Sequence, residues 1–113
     1  MNPRPRSDHD SDLARNEVFG PVHAVLRFST EDEAVAKVND SRFGLAAYLH
    51  TTDVRRVHRL VDAFETGTVI ANGMGGYGPS APFGGVKLSG FGREGGRAGI
   101  EEMVWRKGIH LNG

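Results

Sequence analysis

A chain of 113 residues with 14 basic and 14 acidic side chains carries no net charge, so it lacks the basic field that nucleic-acid binding requires. It contains no cysteine, which removes disulfides, thiolate metal sites and any thiol nucleophile from these residues. Its length suits one small domain with a thin margin of burial. No apolar run approaches membrane-spanning length, so a soluble, cytoplasmic protein is expected.

From Met1 to about Asn16 the chain is rich in Pro, Arg, Ser and Asp and has no apolar face. Residues 1–10 are expected to be disordered, which leaves 11–113 as the folded unit. The β-rich run Val22–Phe28 predicts a strand buried on both faces. Thr30 and Glu33 form a capping box, and Glu31, Asp32 and Glu33 suit a helix N-terminus. That helix carries Ala34, Val35 and Val38 on one face and stops near Asn39-Asp40.

Leu45–Leu49 reads as a second strand. Thr52 or Asp53 then caps an amphipathic helix in which Val54, Val57, Leu60, Val61 and Phe64 recur at helical spacing, with Arg55, Arg56 and Arg59 on its solvated side. Gly67 suits the left-handed position that closes this helix. Thr68–Ala71 is a third strand, Asn72–Gly92 a long glycine-rich loop, Arg93 to about Val104 a helix, and Val104–Leu111 a short terminal strand. Strand, helix, strand, helix, strand predicts an α/β fold with a partial parallel sheet. Two or three helices cover such a sheet badly. A piece of a larger sheet, or a protomer that hides its surface in an oligomer, follows from that shortfall.

Few residues qualify for chemistry. His9, His23, His50, His58 and His110 show no metal-ligand spacing, and no metal is expected. Ser80 and Ser89 lack a nucleophile elbow and read as turn residues. Gly90-x-Gly92-x-x-Gly95 matches the dinucleotide fingerprint by letter, but a Gly/Pro/Ser loop precedes it where a strand is required, and no second strand with a ribose-binding acid follows it. It is rejected as a phosphate loop. Glu17 and Phe19 lie two apart before the Gly20-Pro21 turn; in an extended segment both face one side. They could present an acceptor and an apolar wall to one ligand, against the plainer reading of a strand-entry turn.

Two separated blocks, Glu17–Val22 and Ala81–Glu94, resemble the hallmark motifs of the C-terminal part of NAD(P)-dependent aldehyde dehydrogenases. Phe43–Ala47 and Gly67–Asn72 are similar to that family in the same order, so the resemblance runs from about Ser11 to the C-terminus. It implies that Glu17 and Phe19 contact the ribose and nicotinamide end of NAD or NADP, and that Phe83 and Tyr77 line the aldehyde tunnel. It also implies that the last strand helps subunits assemble. Asn16 stands where the family's first motif usually has a second acid.

The family's reaction needs a thiolate to add to the aldehyde before hydride can leave for the nicotinamide. With no cysteine, the chain is expected to be a catalytic-domain fragment with no catalytic residue of its own, inactive alone, and unable to hold the cofactor tightly. A split enzyme completed by a separate N-terminal chain is one alternative. A non-enzymatic oligomerisation or interaction module is the other.

Overall fold

The computed structural model of the protein describes residues 8–75 and 78–113. Elements run α1 (Asp12–Arg15), α2 (Glu31–Asn39), β1 (Phe43–Gly44), β2 (Ala46–Leu49), α3 (Val54–Ala63), β3 (Thr68–Ala71), β4 (Val86–Lys87) and α4 (Gly96–Glu102). The centre is one βαβ unit: β2 and β3 pair in parallel with Ala46 opposite Thr68 and Leu49 opposite Ala71, and α3 makes the crossover. Beside it, β1 and β4 form a two-residue antiparallel ladder. The α/β class with a parallel pair is as expected.

Local chemistry explains the helices. The Thr30 Oγ1 accepts from the Glu33 N–H at 3.1 Å, and the Glu33 carboxylate reaches back to the Ser29 N–H at 2.8 Å. The return bond therefore lands one residue before the cap. Asp53, rather than Thr52, caps α3 by accepting from the N–H groups of Arg55 and Arg56. Leu60 turns into the interior and is 6 % exposed, the one buried large apolar side chain among the described residues.

Arg56 and Arg59 are more than a solvated face. Both guanidinium groups bond the Glu31 carboxylate at 2.9 Å, tying α3 to the first turn of α2. Arg59 and then Arg56 hold the Glu31 carboxyl below its ordinary value of 4.5. A carboxyl with a lowered folded pKa stabilises the fold above its unfolded pKa and loses that contribution as pH falls through the folded one. Stability to urea is therefore expected to be flat above about pH 5 and to decline below pH 4.5. Glu31→Gln should reduce that acid slope, modestly because the pair is exposed. An unchanged slope in the variant would place the acid sensitivity elsewhere.

Several expectations are corrected. Val22–Phe28 forms no strand, and most of it is exposed; β propensity cannot make a ladder without a partner strand bonded to it. Val104–Leu111 likewise carries no strand, with Trp105 wholly exposed. The long loop contains β4 and a bridge between Phe83 and Glu94. That bridge and the left-handed Gly95 (φ +73°) delay the last helix until residue 96. Gly67 does not occupy the left-handed region; α3 ends at Ala63 with Phe64 as its cap, and Gly67 instead lets the backbone of Gly84 pass so close that a Cβ would lie 1.7 Å from its carbonyl oxygen. The expected disorder of residues 1–10 falls mostly outside the described residues.

The result is not compact. The Cα radius of gyration is 18.6 Å, against about 13 Å for a compact domain of this length. Large apolar side chains from Val25 to Leu111 face solvent.

Candidate functional site

The segment after α1 is held in place by polar contacts. Arg15 pairs with Asp10 at 2.5 Å and with Asp40 at 2.8 Å, and His9 reaches the same Asp40 oxygen at 2.8 Å. His9 and then Arg15 hold the Asp40 carboxyl below its ordinary range, and Asp10 and Asp40 raise the Arg15 guanidinium above its own. One residue past α1, the Asn16 side chain accepts from Arg42, whose guanidinium stands 5.4 Å over the Phe43 ring. The chain leaving α1 is thereby fastened to β1. The Val22 N–H then bonds the Gly20 carbonyl at 2.8 Å and closes the Gly-Pro turn tightly.

These ties leave a cleft of about 960 Å³ between residues 13–24 and the β1–β2 wall. Glu17 and Phe19 both line it, with Phe43, Thr66 and Ser89 among the residues opposite. Phe19 is 97 % exposed. A carboxylate acceptor and an unstacked aromatic ring therefore share one opening. Such a pair suits a ligand with adjacent hydroxyls and a planar ring.

Phe83 lies elsewhere. It exchanges two backbone bonds of 2.7 Å with Glu94 and does not line the cleft. Tyr77 lies outside the described residues. Ser89 is a structural hydroxyl, its Oγ accepting from the Gly44 N–H at 3.0 Å. No group of three His, Asp or Glu side chains among the described residues is placed to hold a metal. No helix there is long and apolar enough to cross a membrane.

Lys87 was not legible in the sequence. Its ammonium donates to the carbonyls of Asn39 and Ser41 at 2.7 and 3.1 Å and pairs with Glu65 at 2.8 Å. A cation at the last carbonyls of α2 suits that helix end. The Asn39 side chain completes the junction, donating to the Ala63 carbonyl and accepting from the Glu65 N–H. Together they join α2, the end of α3 and the glycine-rich block behind the cleft wall. Lysine within Gly85-Val86-Lys87 was the one available signal, and its partners lie 22 to 48 positions away.

The sequence model described as the aldehyde dehydrogenase family matches residues 6–109. The chain is 52% identical over 99 residues to a betaine aldehyde dehydrogenase of Cereibacter sphaeroides, covering 88% of this chain and 20% of that protein. It is 46% identical over 93 residues to a non-phosphorylating aspartate-semialdehyde dehydrogenase of Halomonas elongata, covering 82% of this chain and 19% of the relative. The crystal structure of a Staphylococcus aureus betaine aldehyde dehydrogenase in complex with NAD+ superposes with a TM-score of 0.81 at 42% identity, over 85% of this chain and 19% of that one. The chain thus spans about a fifth of the length of the curated relatives it matches.

Proposed function

This chain belongs to the aldehyde dehydrogenase family, and on that premise we propose that it carries one wall of the active site that oxidises an aldehyde to a carboxylic acid with NAD or NADP. The observation that carries this reading is the shared cleft of Glu17 and Phe19, with the Phe19 ring open to a ligand. The Glu17 carboxylate would accept hydrogen bonds from ribose hydroxyls, and the Phe19 ring would pack against the nicotinamide. The nicotinamide, when bound, accepts the hydride. Phe83 and Tyr77 would border the aldehyde path on the side of the glycine-rich block. Residues 11–113 are assigned to the working unit.

The thiolate that the reaction requires is not among these residues, since the sequence contains no cysteine. The isolated chain is therefore read as catalytically incompetent, with weak cofactor affinity because it supplies few of the contacts that offset the cost of association. Its span of about a fifth of its relatives favours a second reading, a cytoplasmic split enzyme in which a separate chain supplies the cysteine and the cofactor domain. Its exposed apolar side chains favour a third, an oligomerisation module.

Purified chain incubated with NAD or NADP and betaine aldehyde, acetaldehyde or benzaldehyde is expected to produce no reduced nicotinamide absorbance. Turnover that survives repurification would overturn the reading. In the same sample, millimolar-range NAD should shift the amide resonances of Glu17 and Phe19, and Phe19→Ala should abolish the response. Shifts centred on other residues would move the cofactor wall.

A further inference from the structure

The end of β3 is fastened to the chain leaving β2 by one asparagine. The Asn72 N–H bonds the Leu49 carbonyl at 2.8 Å and extends the β2–β3 pairing by one step. The Asn72 side chain then clamps the main chain of Thr51 at two points. Its Oδ1 accepts from the Thr51 N–H and its Nδ2 donates to the Thr51 carbonyl, both at 2.9 Å. Thr51 in turn carries the hydroxyl that accepts from the Asp53 N–H at 3.2 Å, at the start of α3. One exposed side chain therefore holds the exit of β3 against the entry of α3.

The Asn72 backbone takes φ +54°, a left-handed conformation that asparagine tolerates better than most residues. The next residue is Gly73, whose N–H makes no hydrogen bond among the described residues. Without a Cβ, nothing on Gly73 itself shields that nitrogen. An exposed asparagine amide beside an unshielded main-chain nitrogen has a reaction open to it that needs no enzyme and no cofactor.

We propose that Asn72-Gly73 is a self-modification site at which asparagine converts to isoaspartate, and that the Thr51 clamp gates the conversion. The Gly73 nitrogen attacks the Asn72 Cγ, so a C–N bond forms and the Cγ–Nδ2 bond breaks. The Gly73 N–H proton leaves with Nδ2 as ammonia, and a cyclic succinimide remains. Water then cleaves the bond between the Gly73 nitrogen and the Asn72 main-chain carbonyl carbon. That carbonyl becomes a carboxylate, and the main chain runs through Cγ. No oxidant or reductant takes part.

Ring closure requires the amide to fold onto its own C-terminal neighbour, whereas the two Thr51 bonds hold it to a segment 21 positions upstream. The clamp must open first. Afterwards it cannot re-form, because the side-chain amide is gone and a methylene has entered the main chain. The same dipeptide recurs at Asn112-Gly113, in exposed irregular chain where nothing lies within 4 Å of the Gly113 Cβ position. It is an unclamped reference in the same molecule. Neither Asn72 nor Thr51 lines the cleft, so the site is independent of the cofactor reading.

The test ages the full 113-residue chain in mildly alkaline buffer, once folded and once in urea, and measures isoaspartate at each site by peptide mapping. Asn112 should convert at similar rates in both samples. Asn72 should convert in both, but at least about tenfold more slowly in the folded chain, the factor that two hydrogen bonds of ordinary net strength impose on opening. Gly73→Ala should suppress conversion at Asn72 and leave Asn112 unaffected. Its Cβ shields the nitrogen and meets only the Ile70 Cγ2 at 3.6 Å and two carbonyl oxygens at 3.9 Å, all ordinary contacts. In the folded isoaspartate form, separated by its added negative charge, exchange of the Thr51 amide should rise by at least about threefold.

Equal Asn72 rates in the folded and unfolded chain would overturn the gate. No Asn72 conversion in the folded chain over roughly a hundred Asn112 half-times, about the longest delay two such bonds impose, would overturn the site. Conversion at the parent's rate in Gly73→Ala would overturn the ring-closing route. An isoaspartate form that keeps the parent's Thr51 exchange rate would remove the clamp.

Discussion

Gly67→Ala is expected to remove β3 from its place beside β2, at a cost of at least about 3 kcal/mol, since the strain exceeds that of ordinary overpacking. The added Cβ would lie 1.7 Å from the Gly84 carbonyl oxygen and 2.8 Å from its carbon. Both are backbone atoms, so no rotamer change relieves the contact. Gly84 cannot retreat freely either, because its own Cβ position is 2.3 Å from the Gly92 carbonyl oxygen. The Gly67 N–H also bonds the Gly44 carbonyl at 3.0 Å, so displacing it breaks the entry to β3. In thermal unfolding the shift should exceed about 10 °C. Gly20→Ala and Gly108→Ala serve as controls, because nothing lies within 4 Å of either Cβ position. They should stay within about 0.5 kcal/mol of the parent. A Gly67→Ala midpoint equal to those of the controls would mean that the two backbone segments are not in contact in solution.

The same glycine shows where sequence reasoning ran out. Gly67 after a helical run invites a helix-closing turn, because that explanation is local. The true cause is Gly84, 17 positions on, and only the folded chain brings the two together. The βαβ centre was legible for the opposite reason. Its signals are all local: the Asp53 cap, the 3.6-residue recurrence that puts Leu60 inside, and the Thr68–Ala71 run of β formers. Thr30 and Glu33 were readable for the same cause.

Strands were readable only as far as their partners were present. Val22–Phe28 has the composition of a strand and no ladder, since composition sets propensity and pairing sets structure. The two-residue β1 and β4 were invisible, being too short to show any alternation. Glu17 and Phe19 line one cleft, and the local rule that singled them out is that residues two apart share a side in extended chain. Lys87 was missed because its three oxygen partners come from Asn39, Ser41 and Glu65. No spacing rule connects those positions.

Leu60→Ala follows from how little this chain buries. A buried leucine truncated to alanine costs about 2–5 kcal/mol, from lost transfer energy and the cavity left behind. Here the neighbours are themselves half-exposed: Val57 and Phe64 on the same helix face are both partly open. Such surroundings can collapse into the gap, which argues for the lower part of that range. Even about 2 kcal/mol is a large fraction of the stability expected for a small domain, and no second buried large apolar side chain among the described residues shares the load. The variant should therefore lose the α3 helical signal at temperatures where the parent keeps it. Val54→Ala is the informative comparison. Val54 sits on the same helix but is 67 % exposed, so its truncation should cost less than about 0.5 kcal/mol. Equal losses for the two would mean that α3 is held by its Asp53 cap and the Glu31 pairs instead of by its apolar face.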